Sequence, residues 1–342
     1  MRKLIFLFTV LCFTASAQHK VLFIGNSYTY VNNLPDLISN IYSSFGEALV
    51  YDQSTPGGYT FKQHLTVSAD KIKQGGWDFV VLQEQSQLPS FPDNQFNQDC
   101  YPYAKQLCEL IREYNPDSKP VFYMTWGRRD GDSQNCQYFE PLCTYEGMDS
   151  MLNLRYTLMA HDNKSLLSPV GKVWHYIRDN YPQLELYQSD GSHPSYIGSY
   201  IAACCFYTLF EGTDPQQILW NGELDDEVAD IVKNSVKMIV FDSLDSWDYT
   251  EDSLPDDSTS ISNFEFKYPL YPNPATDILY IDFPENNEKL NILVYDIYGR
   301  VVKYITGLKS HFISVSDIDN GFYIVEITKE KCKYSSKISI VH

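Results

Sequence analysis

Five short apolar runs constrain this chain more than anything else in it. They are KVLFIG from residue 20, ALVYDQ from 48, DFVVLQ from 78, PVFYMTW from 120 and SLLSPVG from 165. Each has the length of a buried strand and is bounded by turn residues. Between them the pattern is helical, over about 34–44 with Pro35 in the first turn, 61–74, 97–115 and 146–161. Two more helical stretches, near 171–180 and 195–211, follow the fifth run. Strands alternating with helices imply a parallel sheet covered on both faces, an α/β three-layer arrangement. In such sheets a ligand sits at the carboxyl ends of the strands.

The pattern changes toward the end of the chain. ILYIDF, LNILVYDIYGRVV, HFISVS and GFYIVEITK are short alternating segments parted by turn residues, the signature of a small all-β sandwich over 265–342. Residues 247–264, WDYTEDSLPDDSTSISNF, are rich in Asp, Ser and Thr and read as an acidic linker. The first 17 residues read as a signal peptide. Arg2 and Lys3 open it, Leu4 to Phe13 form the apolar stretch, and Ala15-Ser16-Ala17 makes a small-residue cleavage site. The expected division is therefore leader 1–17, α/β domain 18–246, linker 247–264 and sandwich 265–342, without internal repeats.

The leader's apolar run is shorter than the roughly 20 residues that span a bilayer, and no later segment reads as a transmembrane helix. The formal charge of the chain is -18, and residues 241–266 hold eight acidic and no basic side chains. Such a surface repels nucleic acid and anionic membranes and keeps an exported protein soluble. Of eight cysteines, Cys12 leaves with the leader. Cys136 and Cys143 bracket the polar loop CQYFEPLC and can pair in an oxidising compartment. Cys100, Cys108, Cys204 and Cys205 read as buried thiols, and Cys332 has no evident partner. The spacings make no zinc pattern, and the chemistry read below needs no metal or organic cofactor.

The strand ends carry the chemistry. Gly25-Asn26-Ser27 follows the first strand, Gly57-Gly58 the second and Gln83-Glu84-Gln85-Ser86-Gln87 the third, while Asp190-Gly191-Ser192-His193-Pro194 comes late. A serine hydrolase needs a nucleophile, a base, a group orienting the base, and oxyanion donors. Alone, Gly-Asn-Ser is an ordinary turn. Asp190 and His193 say more: three positions apart, they bring a carboxylate to an imidazole, and also suit a helix N-terminus with Pro194 in its first turn. Histidines 19, 64, 161, 175, 311 and 342 have no such surroundings and read as structural or exposed. For substrate binding the candidates are Trp126, a ring able to stack on a sugar, Arg128, able to grip a carboxylate, and Tyr145, followed by Glu146 and Met148. A packed Trp126 and a solvated Arg128 are the plainer alternatives.

In this order the motifs resemble the SGNH (GDSL-like) hydrolases over about residues 18–215, with LFIGNSYT, WDFVVLQEQSQ, YMTWG and DGSHPS similar to one bacterial branch. The resemblance implies a flavodoxin-like fold and ester hydrolysis, with Ser27 as nucleophile, His193 as base and Asp190 as its partner. It further implies oxyanion donors at the backbone amides of Ser27 and Gly58. Asn26 stands where the name-giving motif has aspartate. The third block lacks the usual Gly-x-Asn-Asp, so Gln85 takes the asparagine's place as third donor, with Gln83 as rival. The last segment, through YPNPATD, VYDIYGRVV, GFYIVEIT and SSKISIVH, resembles the type A sorting domain of type IX secretion substrates. It implies export by that machinery, to the cell surface or beyond. The chain thus reads as a secreted serine esterase acting on small acyl esters of a small molecule or a glycan, acetyl esters of polysaccharide among them. A non-catalytic glycan-binding protein on the same fold, or a lipid or thioester hydrolase, are the alternative readings.

Overall fold

A computed structural model describes residues 19–250, 270–281, 290–296, 301–308, 310–329 and 332–342. The leader and most of the expected linker lie outside the described residues. The chain divides into two compact units, Met1–Leu254 and Pro255–His342.

The first unit is built on five parallel strands: β1 Lys20–Ile24, β2 Val50–Ser54, β3 Phe79–Leu82, β4 Lys119–Tyr123 and β5 Leu166–Ser168. Their order is β2-β1-β3-β4-β5, the flavodoxin-like order. The helices are α1 Ser27–Tyr30, α2 Leu34–Ser44, α3 Phe61–Val67, α4 Ala69–Gln74, α5 Asp93–Asp99 and α6 Tyr101–Tyr114. They continue with α7 Tyr145–Asp162, α8 Val170–Asn180, α9 Tyr196–Glu211 and α10 Asp226–Ile239. Alternate residues of β1 serve opposite faces, because successive side chains of a strand point to opposite sides. Val21 and Phe23 pack with α2, α8, α9 and α10, whereas Leu22 and Ile24 pack with α3, α4, α6 and α7. The sheet is therefore the middle of three layers, as expected from its sequence.

Three details differ from the sequence reading. The helix expected over 61–74 is broken at Ser68, and that over 97–115 at Cys100. In the second case Pro102 lies in the first turn of α6, where its missing N–H costs nothing, so the chain restarts a helix there. Helix α10 was not anticipated: Asp225 caps it by accepting from Val228 N, and Ala229, Val232 and Val236 bury one face at helical spacing. Residues 247–250, expected in the linker, belong to the first unit. Asp248 bridges to Leu166, Tyr249 N donates to Ser165 O at 3.2 Å, and Trp247 and Tyr249 pack against the core.

The second unit is a sandwich of two antiparallel sheets. One holds β6 Leu270–Tyr271, β7 Ile278–Ile281 and β10 Phe312–Ser314 in the order β10-β7-β6. The other holds β8 Leu290–Asp296, β9 Val301–Leu308, β11 Gly321–Lys329 and β12 Cys332–Ile340 in the order β12-β11-β8-β9. Leu279, Ile281, Ile292, Val294, Val325, Ile327, Ile338 and Ile340 fill the space between them, every second residue turning inward along β7, β8, β11 and the end of β12. Among the described residues no helix is long and apolar enough to cross a membrane.

The contacts of Trp247 and Tyr249 predict where the first unit can be cut. A chain ending after Thr250 should melt like the intact unit. One ending after Ser246 loses both rings and should melt several degrees lower, at about 2–4 °C per kcal/mol for a unit of this size. Equal melting temperatures would show that the two rings contribute nothing.

Candidate active site

The turn after β1 is held from three sides. Gly25 N donates to Ser54 O at 3.1 Å, tying it to the end of β2. Gly25 O accepts from His64 Nε2 at 2.9 Å, tying it to α3. Asn26 N donates to Gln83 Oε1 at 2.9 Å, and Gln83 Nε2 donates back to Asn26 Oδ1 at 3.0 Å, tying it to the end of β3. Only glycine fits at position 25, since a Cβ there would stand 2.5 Å from Thr29 Oγ1 and 2.7 Å from Gln83 Oε1. Asn26 then caps the single turn of α1, accepting from Tyr28 N, and leaves Ser27 as the first helical residue. The N–H of a first-turn residue is not used by its own helix.

The loop before α9 is equally well held. Gln188 N donates to His193 O at 2.8 Å and Ser195 N to Leu186 O at 2.9 Å, while Gly191 takes a left-handed φ of +67°. Asp190 Oδ1 accepts from the backbone of Ser192 and of His193, and Asp190 Oδ2 lies 2.5 Å from His193 Nδ1. Across the gap, His193 Nε2 lies 2.8 Å from Ser27 Oγ. The carboxylate, imidazole and hydroxyl expected from the sequence thus form one continuous chain. Burial alone would raise the Asp190 carboxyl, but the bonds from His193 and the two backbone N–H groups outweigh it and hold it below the usual carboxylate range.

Two side chains absent from the sequence reading join these loops. Tyr28 Oη lies 2.7 Å from Ser192 Oγ, and the edge of its ring meets His193. Asn32 Nδ2 reaches Pro194 O at 3.1 Å, Ser195 O at 3.0 Å and Ser199 Oγ at 2.9 Å. Asn32 does so with φ at +55°, a conformation that asparagine tolerates better than most residues. Neither had a local signal, because each acts on a loop more than 160 residues away.

The second strand end supplies Gly57 and Gly58, both exposed, with φ of +72° at Gly58. Asn26 Nδ2 donates to Tyr59 O at 3.0 Å, so this loop hangs on the turn that carries Ser27. Glu84 anchors its far side: both carboxyl oxygens lie 3.0 Å from Phe61 N, at the start of α3. Full burial pushes the Glu84 carboxyl up to about 8, against the pull of the backbone bonds from Gln85 and Phe61.

The two glutamines of the third block differ. Gln83 is buried, and its two amide hydrogens go to Asn26 Oδ1 and Glu84 O. Gln85 is half-buried, and Gln87 Oε1 accepts one of its two amide hydrogens at 3.0 Å.

The expected substrate contacts need correction. Trp126 is fully buried, stacked 3.7 Å from Trp174 of α8 on one face and 4.9 Å from Tyr28 on the other. No sugar can reach either face; its indole N–H instead donates to Ser192 O at 3.2 Å and steadies the histidine loop. Tyr145 is also buried, under the guanidinium of Arg178. Arg128 keeps some exposure but is paired at 3.2 Å with Asp132, whose carboxylate is buried. Asp132 also accepts from Gln87 and Asn135, so Arg128 sits within a structural network. Cys136 and Cys143 form a disulfide in the loop that follows. Cys100, Cys108, Cys204 and Cys205 are buried thiols, as expected.

Residues 269–341 match the family described as secretion system C-terminal sorting domain. The second unit is thus an export signal of the type IX kind, and the chain is directed to the cell surface or beyond it. No curated protein matches the chain. Among solved structures, a DUF4886 family protein from Bacteroides uniformis is similar at a TM-score of 0.57 and 15% identity, over 64% of this chain and 93% of that one. An acetylxylan esterase from Geobacillus stearothermophilus aligns at a TM-score of 0.40 and 20% identity, over 55% of this chain and 92% of that one. The first of these likenesses is one of fold. That fold is the parallel three-layer sandwich implied by the SGNH resemblance.

His64 gives this site a pH dependence. Burial pulls its imidazole down to about 4 from the ordinary 6.5, with the bond to Gly25 O opposing. The unfolded chain therefore takes up the proton first as pH falls. The stabilisation is complete above about pH 6.5 and is lost progressively toward pH 4. His64→Gln keeps a donor for Gly25 O without a titrating ring. The parent should lose melting temperature more steeply than this variant between pH 6.5 and 4. Parallel curves would mean that His64 is protonated no harder in the folded protein than in the unfolded one.

Proposed function

We propose that the first unit is a serine ester hydrolase, exported under the direction of the second, which removes small acyl groups, acetyl among them, from a glycan or other small alcohol. The reading rests on one observation above all, the unbroken run from Asp190 through His193 to Ser27 Oγ at the carboxyl ends of a parallel sheet. Its chemistry follows from the distances. His193 Nε2 accepts the Ser27 proton as Oγ attacks the ester carbonyl, and Asp190 stabilises the imidazolium that forms. The negative oxygen is met by the backbone N–H groups of Ser27 and Gly58. Collapse of the intermediate breaks the bond to the alcohol, which leaves with the proton from His193. Water, deprotonated by the same imidazole, then cleaves the acyl-serine and restores the hydroxyl.

Gln85 is the side-chain donor of this scheme, since its amide has a hydrogen beyond the one that Gln87 accepts. Gln83 has its two committed to Asn26 and Glu84 and acts as a clamp. The open setting also favours a small acyl group on a larger carrier. The side chains of Asp190 and His193 are 46% and 32% exposed.

The test is hydrolysis of p-nitrophenyl esters of increasing chain length and of acetylated oligosaccharides, run beside Ser27→Ala. Turnover on the shortest esters should be highest, and the variant should lose about a thousandfold or more. A parent protein no faster than Ser27→Ala on every ester would sink the hydrolase reading. Within the same assay, Gln85→Ala should lower kcat by about a hundredfold with little change in KM. Gln83→Ala should instead lower the melting temperature. Loss of turnover in folded Gln83→Ala alone would transfer the donor role to that residue.

A further inference from the structure

The geometry points to Tyr30 as the residue that selects the alcohol part of the substrate, by offering its ring as a platform for a pyranose beside Ser27. This rests on the hydrolase reading for the identity of the nucleophile, not for the existence of the platform.

Helix α1 is one turn long, so its four side chains fall into two sets. Tyr28 and Thr29 are buried, the first against Trp126 and His193. Ser27 and Tyr30 stand three residues apart, the spacing that puts two side chains on one helix face. Tyr30 is 46% exposed. Among the described residues of the loops at 25–33, 57–60, 83–87 and 190–195, no other large apolar side chain is exposed to that degree. Its ring reaches over the second strand end: a Cβ at Gly57 would stand 3.5 Å from Tyr30 Oη and 3.9 Å from Tyr30 Cε1. Beyond it, a Cβ at Gly58 would meet nothing within 4 Å. The exposed ring therefore lies between the nucleophile helix and the loop that carries the backbone donor of Gly58, with open space beside it.

A tyrosine in this position has an apolar face and a polar tip. A pyranose has the matching shape, with C–H bonds on its faces and hydroxyls around its rim. A single exposed ring, with no second exposed large apolar side chain among the described residues of these loops, offers little surface to a long acyl chain. It suits a flat, ring-shaped alcohol whose acyl group hangs toward Ser27. Trp126, the ring the sequence offered for this task, is buried beneath Tyr28 and steadies the histidine loop instead.

The experiment separates the platform from the catalysis. In the Ser27→Ala background, which leaves esters intact, binding of 6-O-acetyl methyl glucoside and of glycerol monoacetate is measured by ligand-observed NMR. Both carry the same acyl group, and only the first has a ring. Tyr30→Ala and Tyr30→Leu should each weaken the glucoside about three- to tenfold. Tyr30→Phe should stay within about twofold of the parent, and glycerol monoacetate should not respond to any of the three. Tyr30→Phe keeps the ring, Cε1 included, over Gly57, so a loss that Ala and Leu share and Phe escapes belongs to the aromatic ring. Equal loss of both ligands, or of neither, overturns the proposal. If the glucoside depends on Tyr30 but protein with Ser27 intact hydrolyses neither ester and none of the esters of the hydrolysis series, the platform stands and the hydrolase reading falls.

Discussion

The site depends on a pair of buried amides facing each other. Asn26 gives its backbone N–H to Gln83 Oε1 and receives the Gln83 amide on its own Oδ1. The rest of the Asn26 side chain is also used, with Oδ1 capping α1 and Nδ2 holding Tyr59 O. One residue therefore fixes the serine turn, the first helical turn and the glycine loop relative to the end of β3. Buried amides with their groups satisfied allow one arrangement, because any slip leaves a donor or acceptor unpaired at a cost of about 1–3 kcal/mol. His64 closes the opposite side, neutral and buried, through Gly25 O. Aspartate in place of Asn26 could accept as the amide does, but could not donate to Tyr59 O.

Much of this was legible in the sequence, and the reason is periodicity. The five strands, the layer order and the all-β tail follow from apolar runs, turn residues and the change of period near residue 265. Helix breaks at Ser68 and Cys100 were not legible, because both stretches remain apolar at helical spacing on either side. At the site, Ser27, Asp190 and His193 could be found because each lies in a short motif at a strand or helix end. Trp126 and Tyr145 could not be placed, since burial depends on what packs over a loop. Trp174 and Tyr28 cover Trp126 from elements about 50 and 100 residues distant in the chain. Tyr30 was hidden for the opposite reason: next to Tyr28 in SYTY it looks equivalent, and only the helical turn sends one ring inward and the other out.

The two units divide the work cleanly. The first holds the Ser27, His193 and Asp190 cluster and its own two cores on either side of the sheet. The second has a separate core of alternating aliphatic residues and matches a sorting domain over nearly its whole length. The acidic excess of the sequence falls almost entirely on the first unit and on the stretch that follows it.

Ser27 and the imidazole beside it are 166 residues apart in the chain. Asn26 and the amide that clamps it are 57 apart. No fragment that stops short of residue 193 contains that imidazole, and none that has lost the sheet holds Ser27 in its turn. The cluster is thus a property of the finished fold and of no smaller piece. A growing chain on the ribosome carries Ser27 without its imidazole partner until more than half of the polypeptide has been made. The order of synthesis alone keeps the three side chains apart until then.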